Sequence, residues 1–384
     1  MKRTYIAKRF QQLRPGLSLD TAALARYDDV IDLSIGDTDL VTDSRIIDTA
    51  FADAKAGYTH YGSPKGDPEL IAAIRRAWEE DYGQTITQDR VLVTASTCLG
   101  MAIVMMGILD PGDEVLVLGP YFSPYRGQIE LAGGVCVEVP CFAEEGYALN
   151  EQRLCDAVTE RTKAIIFDNP CNPTGMAYQR DELEIIARVA KRYDLLVAAD
   201  EIYTTYLFEG SFVPLRTLPG MAERTITLNS FSKNFMMTGW RVGYIIAEPE
   251  LLTVFKTIND SLIYTTPSVS QRAAIRALSL REDIRQRYVA RYLERVRYAT
   301  QRVSALPYMS LVPPKGSFYL FPGIEASGLS AKAFCQTLLE QAHVLVTPGD
   351  IFGSTGRGHI RIACTVGTEK LKEAFDRMEG LRFS

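Results

Sequence analysis

The sequence has little histidine, three in 384 residues, and none stands at a spacing that would share a metal ion with another ligand. Its seven cysteines, at 98, 136, 141, 155, 171, 335 and 364, are odd in number and form no CxxC pair. That pattern excludes a disulfide scaffold and reads as buried reduced thiols in a cytosolic protein. Nucleotide loops are missing too: there is no GxxxxGK[ST], and no GxGxxG follows a strand-like run. The GSTGRG at 353–358 has neither the spacing nor a following helix. Positive charge is not in excess. A net charge of -5 argues against a protein built to hold a nucleic-acid backbone, though a local cluster could still bind a small anion. No apolar run approaches the roughly 20 residues that span a bilayer. The opening MKRTYIAKRFQQLRP has basic residues without the apolar core of a signal peptide. A cytoplasmic protein with neither nucleic-acid nor membrane partners is expected.

What is present is an ordinary globular composition, 47% hydrophobic and 23% charged, in a chain long enough for two domains. There is no internal repeat and no low-complexity stretch. From about residue 90, seven short apolar runs alternate with helix-like stretches: RVLVTAS, DEVLVLGP, GVCVEVP, KAIIFDNP, LLVAADEIY, TITLNSFSK and GWRVGYIIAEP. Between them lie segments read as amphipathic helices, such as CLGMAIVMMGILD and RDELEIIARVAKRYD. This alternation predicts an α/β fold with a mostly parallel sheet covered by helices on both faces. Past about residue 275 a long charged helical pattern leads to PPKGSFYLFPG, AKAFCQTLLEQA, HVLVTP and HIRIAC, which predicts a smaller α+β domain. The expected division is an N-terminal segment, 1–40, packing with the small domain, a large domain over 41–278, and the small C-terminal domain over 279–384.

Parallel sheets bind ligands beyond the carboxyl ends of their strands, and the unusual residues of this chain fall there. DNPCNPTG follows KAIIF, DEIY follows LLVAA, and SFSK follows TITLN. Lys233 stands among Ser230, Ser232 and the apolar Phe235, Met236 and Met237, with Arg241 eight residues on. An amine in such company can act as a covalent carrier toward an aldehyde. Read alone, it is equally a solvated lysine in a serine-capped helix start. Asp200 ends an apolar run and needs a cationic partner, for which the protonated ring nitrogen of pyridoxal phosphate is a candidate. Asn172 and Tyr203 are hydrogen-bonding groups at neighbouring strand ends; alone, the Asn-Pro-Thr-Gly at 172–175 is equally a turn. Ser96 and Thr97, between a strand-like run and a helix, offer a phosphate the helix amides, with Ser230, Ser232 and Arg241 to complete the site.

With NPTG and DEIY preceding SxSKxxxxxGWRxG, the chain resembles a class I/II aminotransferase, a pyridoxal-phosphate enzyme of the fold-type I, aspartate aminotransferase superfamily. The likeness runs from LSIGDTD to GHIRIAC. It implies a large domain with a seven-stranded, mostly parallel sheet and pyridoxal 5'-phosphate as cofactor. Lys233 would be the Schiff-base lysine and proton shuttle, and Asp200 the partner of the pyridine nitrogen. Tyr203 and Asn172 would bond the ring's phenolic oxygen. Ser96, Thr97 and Cys98 would hold the phosphate with Ser230, Ser232 and Arg241; Cys98 replaces a Thr or Gln common there, leaving its backbone amide as the contact. Phe122 would stack on the ring. Tyr61 would reach the phosphate of the neighbouring subunit, which implies a homodimer. Arg361 would grip the substrate α-carboxylate, with Gly36 lining the same spot.

The implied reaction passes an amino group between an amino acid and a 2-oxo acid by ping-pong steps. Ser261 stands where aspartate-specific members carry an arginine for the side-chain carboxylate, and with Ile35, Phe122 and Tyr125 this favours aromatic or other neutral side chains. A carbon–sulfur β-lyase would use the same lysine, but known lyases of this kind tend to lack GWRxG. A transcription regulator of this fold would need a DNA-binding domain before LSIGD, where about 30 residues are expected to be too few.

Overall fold

The computed structural model describes residues 5–7 and 26–383. Most of the 1–40 segment lies outside them. Each of the seven apolar runs contains a strand of one sheet. These are β2 (Val91–Thr94), β3 (Glu114–Gly119), β4 (Val135–Pro140), β5 (Thr162–Asp168), β6 (Leu196–Asp200), β7 (Thr225–Ser230) and β8 (Gly243–Ile246). Their order is β2-β8-β7-β6-β5-β3-β4. Only β8 runs against its neighbours β2 and β7; the other pairings are parallel. Every residue of β2, β3, β7 and β8 is buried, which is why these runs are continuous rather than alternating.

One helix departs from expectation. Thr97–Ile108 carries apolar residues nearly all round and buries Gly100, Met101, Ile103, Val104 and Met105. It is not a half-solvated amphipathic helix, because Pro124–Leu131 and Pro249–Leu262 pack against it away from the sheet. Arg180–Arg192 does follow expectation, burying Leu183, Ile186, Ala187, Val189 and Ala190 on one side.

A second core gathers Tyr292, Val296, Ala299 and Val303 from the helix Arg281–Ala305, with Phe318, Phe334, Phe375 and Met378. Its strands are short. β9 (Tyr319–Leu320), β11 (Thr347–Pro348) and β12 (Ile360–Ala363) form an antiparallel sheet in the order β11-β12-β9. β1 (Ile31–Asp32) pairs in parallel with β10 (Val344–Leu345), so Ile31 and Leu33 enter this second core. The chain then crosses to the large sheet. Thr365 Oγ1 donates to the Ile35 carbonyl at 3.1 Å, and Thr42 Oγ1 donates to the Met236 carbonyl at 2.6 Å. Residues between these anchors roof the carboxyl ends of the strands.

Candidate active site

Strand register brings the chemistry together. Asp168 and Asp200 are the last residues of β5 and β6 and are partners across the ladder, while β7 ends one strand further on at Ser230. Ser230 Oγ accepts from Ser232 N at 3.0 Å and caps the short helix Phe231–Asn234, which presents Lys233. A cavity of about 280 Å³ opens here, lined by Lys233, Asp200, Asn172, Tyr203, Arg361 and Phe122 among others. A larger cavity, about 420 Å³, lies behind Ser230 and Asn234 against Trp78 and Tyr82, but Lys233, Asp200 and Arg361 all face the smaller one.

Lys233 Nζ donates to the Gly36 carbonyl and lies 6.0 Å from the centroid of the Phe318 ring. Burial pulls its pKa down to about 8; Asp37 opposes that shift, and Arg361 and Arg241 reinforce it. The apolar residues that follow it in sequence are not what dehydrates the amine. Phe235, Met236 and Met237 pack in a core with Trp78 and Tyr244, and none lines the cavity.

Asp200 has no cationic partner among the described residues. Tyr125 Oη donates to its Oδ2 at 2.7 Å, while its buried Oδ1 has no partner among the described residues. Burial pushes this carboxyl up to about 7. An unmet buried acceptor costs about 1–3 kcal/mol. A cation or donor bound in the cavity would remove that cost. Tyr125, expected to border the substrate, therefore lines the cavity and also holds Asp200. Asp168, which the sequence does not single out, is also on the wall; it accepts from Asn172 N at 2.6 Å and is pushed by burial up to about 8.

Arg361 rises from β12 into the same space. Its Nη1 donates to Asn172 Oδ1 at 2.9 Å and its Nη2 to the Ser34 carbonyl, while Nε has no partner among the described residues. The guanidinium carbon stands 4.6 Å over the Tyr319 ring. Asn172 is thus joined to Arg361. Tyr203 is joined to Tyr319, the two hydroxyls 3.0 Å apart. Tyr319 lies in the KGSFYLFPG stretch, where no sequence signal marks it. It also explains Gly36: a Cβ there would stand 1.8 Å from Tyr319 Oη. Gly36→Ala is expected to lower stability by about 1–3 kcal/mol, as overpacking does, read from chemical denaturation. An unchanged midpoint would mean that Tyr319 yields freely.

Of the residues expected to hold a phosphate, none lines this cavity, but the Ser96–Cys98 turn, the end of β7 and Arg241 lie near one another. Ser96 caps the helix Thr97–Ile108, its Oγ accepting from Leu99 N at 3.2 Å, and holds the strained φ of 95°. Helix geometry leaves the Thr97 and Cys98 amides without intrahelical partners. Thr97 Oγ1 donates to the Asn229 carbonyl at 2.9 Å, tying this turn to the end of β7. Gly243 makes that contact possible, since a Cβ would lie 2.9 Å from Thr97 N and 2.8 Å from Asn229 O. Arg241 takes a left-handed conformation and donates to the Thr238 carbonyl at 2.7 Å. It is close enough to pull against the rise that burial imposes on the Cys98 thiol.

Ile35, Gly36 and Phe122 lie on the cavity wall, with Phe122 edge-on to Tyr125 at 5.6 Å between centroids. Tyr61 does not. It is 83% exposed, away from this chain's cavity, and stacks edge-to-face on the exposed Tyr264 at 5.2 Å. Asp37, Thr238 and Ile202 complete the wall unannounced by the sequence. Among the described residues no helix is long and apolar enough to cross a membrane.

Comparison with known proteins gives this arrangement a family. The family described as aminotransferase class I and II matches residues 28–378. An aspartate aminotransferase of Pyrococcus abyssi is 38% identical over 361 residues, covering 91% of each chain. The arginine–pyruvate transaminase of Pseudomonas aeruginosa is 33% identical, over 93% of this chain and 91% of its own. Among solved structures, an aromatic aminotransferase from Pyrococcus horikoshii superposes with a TM-score of 0.87 at 35% identity, covering 94% of this chain and 97% of the other. The chain belongs to the class I and II aminotransferases, enzymes of the fold-type I, aspartate aminotransferase group that transfer amino groups.

Proposed function

We propose that this aminotransferase uses pyridoxal 5'-phosphate to pass an amino group between an L-amino acid and a 2-oxo acid, by ping-pong half-reactions, favouring neutral side chains, aromatic ones included. The observation that carries the reading is Asp200 Oδ1, a buried acceptor with no partner among the described residues, on the wall that Lys233 and Arg361 share. A protonated ring nitrogen is the donor that suits it. The partly dehydrated amine of Lys233 and the capped helix start beside Arg241 fit the aldehyde and the phosphate of the same molecule.

When bound, pyridoxal phosphate supplies an aldehyde that reacts with amines and a protonated ring that draws electrons from the substrate α-carbon. Asp200, held by Tyr125, would pair with the protonated ring nitrogen. Asn172 and Tyr203 would serve the phenolic oxygen, and Phe122 would lie against the ring. Ser96, Thr97, Cys98, Ser230, Ser232 and Arg241 would hold the phosphate. Lys233 Nζ carries the proton that leaves the substrate α-carbon. Arg361, its guanidinium buried and one N–H unpaired, grips the α-carboxylate beside Gly36. The exposed Tyr61 and Tyr264, with exposed Val41 and Phe51, suit a homodimer in which Tyr61 reaches the partner's phosphate.

Ile35, Phe122, Tyr125 and Ile202 line the described wall, which carries no lysine or arginine beyond Lys233 and Arg361. With Ser261 in place of an arginine, this supports neutral side chains over aspartate. A substrate screen in which only aspartate and glutamate react would overturn it.

The test is to add pyridoxal phosphate to the apoprotein across a pH series and follow visible absorption, then add amino acids singly. Neutral amine becomes more abundant as pH rises through the lowered pKa of Lys233. Uptake is therefore expected to quicken with a midpoint at about 8 and level off above it. A midpoint near the ordinary lysine value would mean the amine is not dehydrated. A protein that takes up no pyridoxal phosphate would refute the function. Pyruvate and ammonia released from cystathionine without a 2-oxo acid acceptor would favour the β-lyase.

A further inference from the structure

Five charged side chains line the cavity: Asp37, Asp168, Asp200, Lys233 and Arg361. On the function proposed above, on which this inference rests, three of them have partners. Asp200 meets the ring nitrogen, Lys233 the aldehyde and Arg361 the α-carboxylate. Asp168 accepts the Asn172 amide, and burial favours its neutral form. Asp37 remains. It is exposed at the mouth, and its Oδ1 accepts from Thr238 Oγ1 at 2.7 Å and from Thr38 N at 2.9 Å. Its Oδ2 takes no hydrogen bond from a described residue. The carboxylate is therefore oriented on one oxygen and open on the other. It is close enough to Lys233 to oppose the fall in that amine's pKa. With the cofactor and the α-carboxylate in place, the charge left for a side chain to meet on the described wall is negative.

We propose that Asp37 is a specificity residue that extends the neutral range of the apolar wall to side chains with an apolar stem and a cationic end, arginine, lysine or ornithine, while turning away aspartate and glutamate. The stem lies along the same apolar wall that accepts neutral side chains, and the cation reaches Asp37 Oδ2. Dicarboxylates meet the same charge as repulsion, so discrimination rests on a repulsive element as well as an attractive one.

The test compares the wild-type holoenzyme with Asp37→Asn and Thr238→Val. The amide oxygen that Asp37→Asn introduces can keep the Thr238 bond while the charge is lost; Thr238→Val keeps the charge and loses the bond. Two readouts are taken: kcat/KM for arginine, alanine and glutamate, and calorimetric affinity for two unreactive probes, 5-guanidinopentanoate and glutarate. A hydrogen bond to a charged group is worth about tenfold or more. Asp37→Asn is expected to lower the arginine-to-alanine ratio about tenfold, raise the glutamate-to-alanine ratio, and abolish a preference for guanidinopentanoate over glutarate. Thr238→Val should keep that preference. A wild-type enzyme that binds glutarate more tightly overturns the proposal, as does Asp37→Asn lowering all substrates alike, which would make Asp37 only a latch to Thr238. Alanine turnover in either case leaves the aminotransferase reading standing. Absence of turnover with every amino acid would overturn both.

Discussion

Lys233→Ala is expected to abolish transamination, lowering kcat by about 10⁴-fold or more, the upper range for a positioned proton carrier. The argument is one of substitutes. Apart from the Arg361 guanidinium, the other titratable groups on the described wall are Asp37, Tyr125, Asp168, Asp200, Tyr203 and Tyr319. Burial holds the Tyr125 and Tyr203 hydroxyls well above the ordinary tyrosine range, and Tyr319 is raised as well. Tyr125 already donates to Asp200, and Tyr203 is bonded to Tyr319. Asp168 is tied to the Asn172 amide, and Asp37 to Thr238. None is a free base with the reach of a lysine side chain. Truncation should leave the fold intact, because the helix cap runs through Ser230 and Ser232 and the surrounding apolar residues pack elsewhere. Single-turnover assays with circular dichroism as the control would decide. Substantial residual transamination in a folded variant would sink the role given to Lys233.

The large sheet was legible because strands buried on both faces leave continuous apolar runs, and each run interrupted by a charged or polar residue at its end marked a strand terminus. Asp200, Lys233 and Arg361 stood out for the same reason, as charges in apolar surroundings. What escaped depends on contacts distant in sequence. Tyr319 matters through Tyr203, 116 residues away, and Asp37 through Thr238, 201 residues away. Asp168 was hidden differently. Its importance comes from standing opposite Asp200 across the β5–β6 ladder, and register between parallel strands is not written in either strand alone. The helix Thr97–Ile108 was misread because a helix covered on both sides keeps few of the polar positions that betray a solvated face.

Asp200→Asn should separate the cofactor's hold from the protein's stability. The substitution is isosteric, and the amide oxygen it introduces can still accept from Tyr125. Only the negative charge that the proposed function sets against the ring nitrogen is lost. Breaking a buried ion pair by removing one partner costs about 3–5 kcal/mol, so pyridoxal phosphate is expected to bind about 10²- to 10⁴-fold more weakly. Turnover should fall by a similar factor, because a ring nitrogen that loses its proton draws electrons from the substrate less strongly. In the apoprotein the sign reverses. There the carboxyl is buried, one oxygen has no partner, and burial already pushes it toward neutrality at about 7. A neutral amide removes a charge whose burial is unfavourable, so the apoprotein should be as stable as the wild type or more so. Cofactor titration by absorbance and chemical denaturation of the apoprotein measure the two effects independently. A variant within tenfold of wild type in both cofactor affinity and kcat would show that Asp200 does not face the ring nitrogen. A variant that fails to fold without cofactor would show that the carboxylate serves the apoprotein instead.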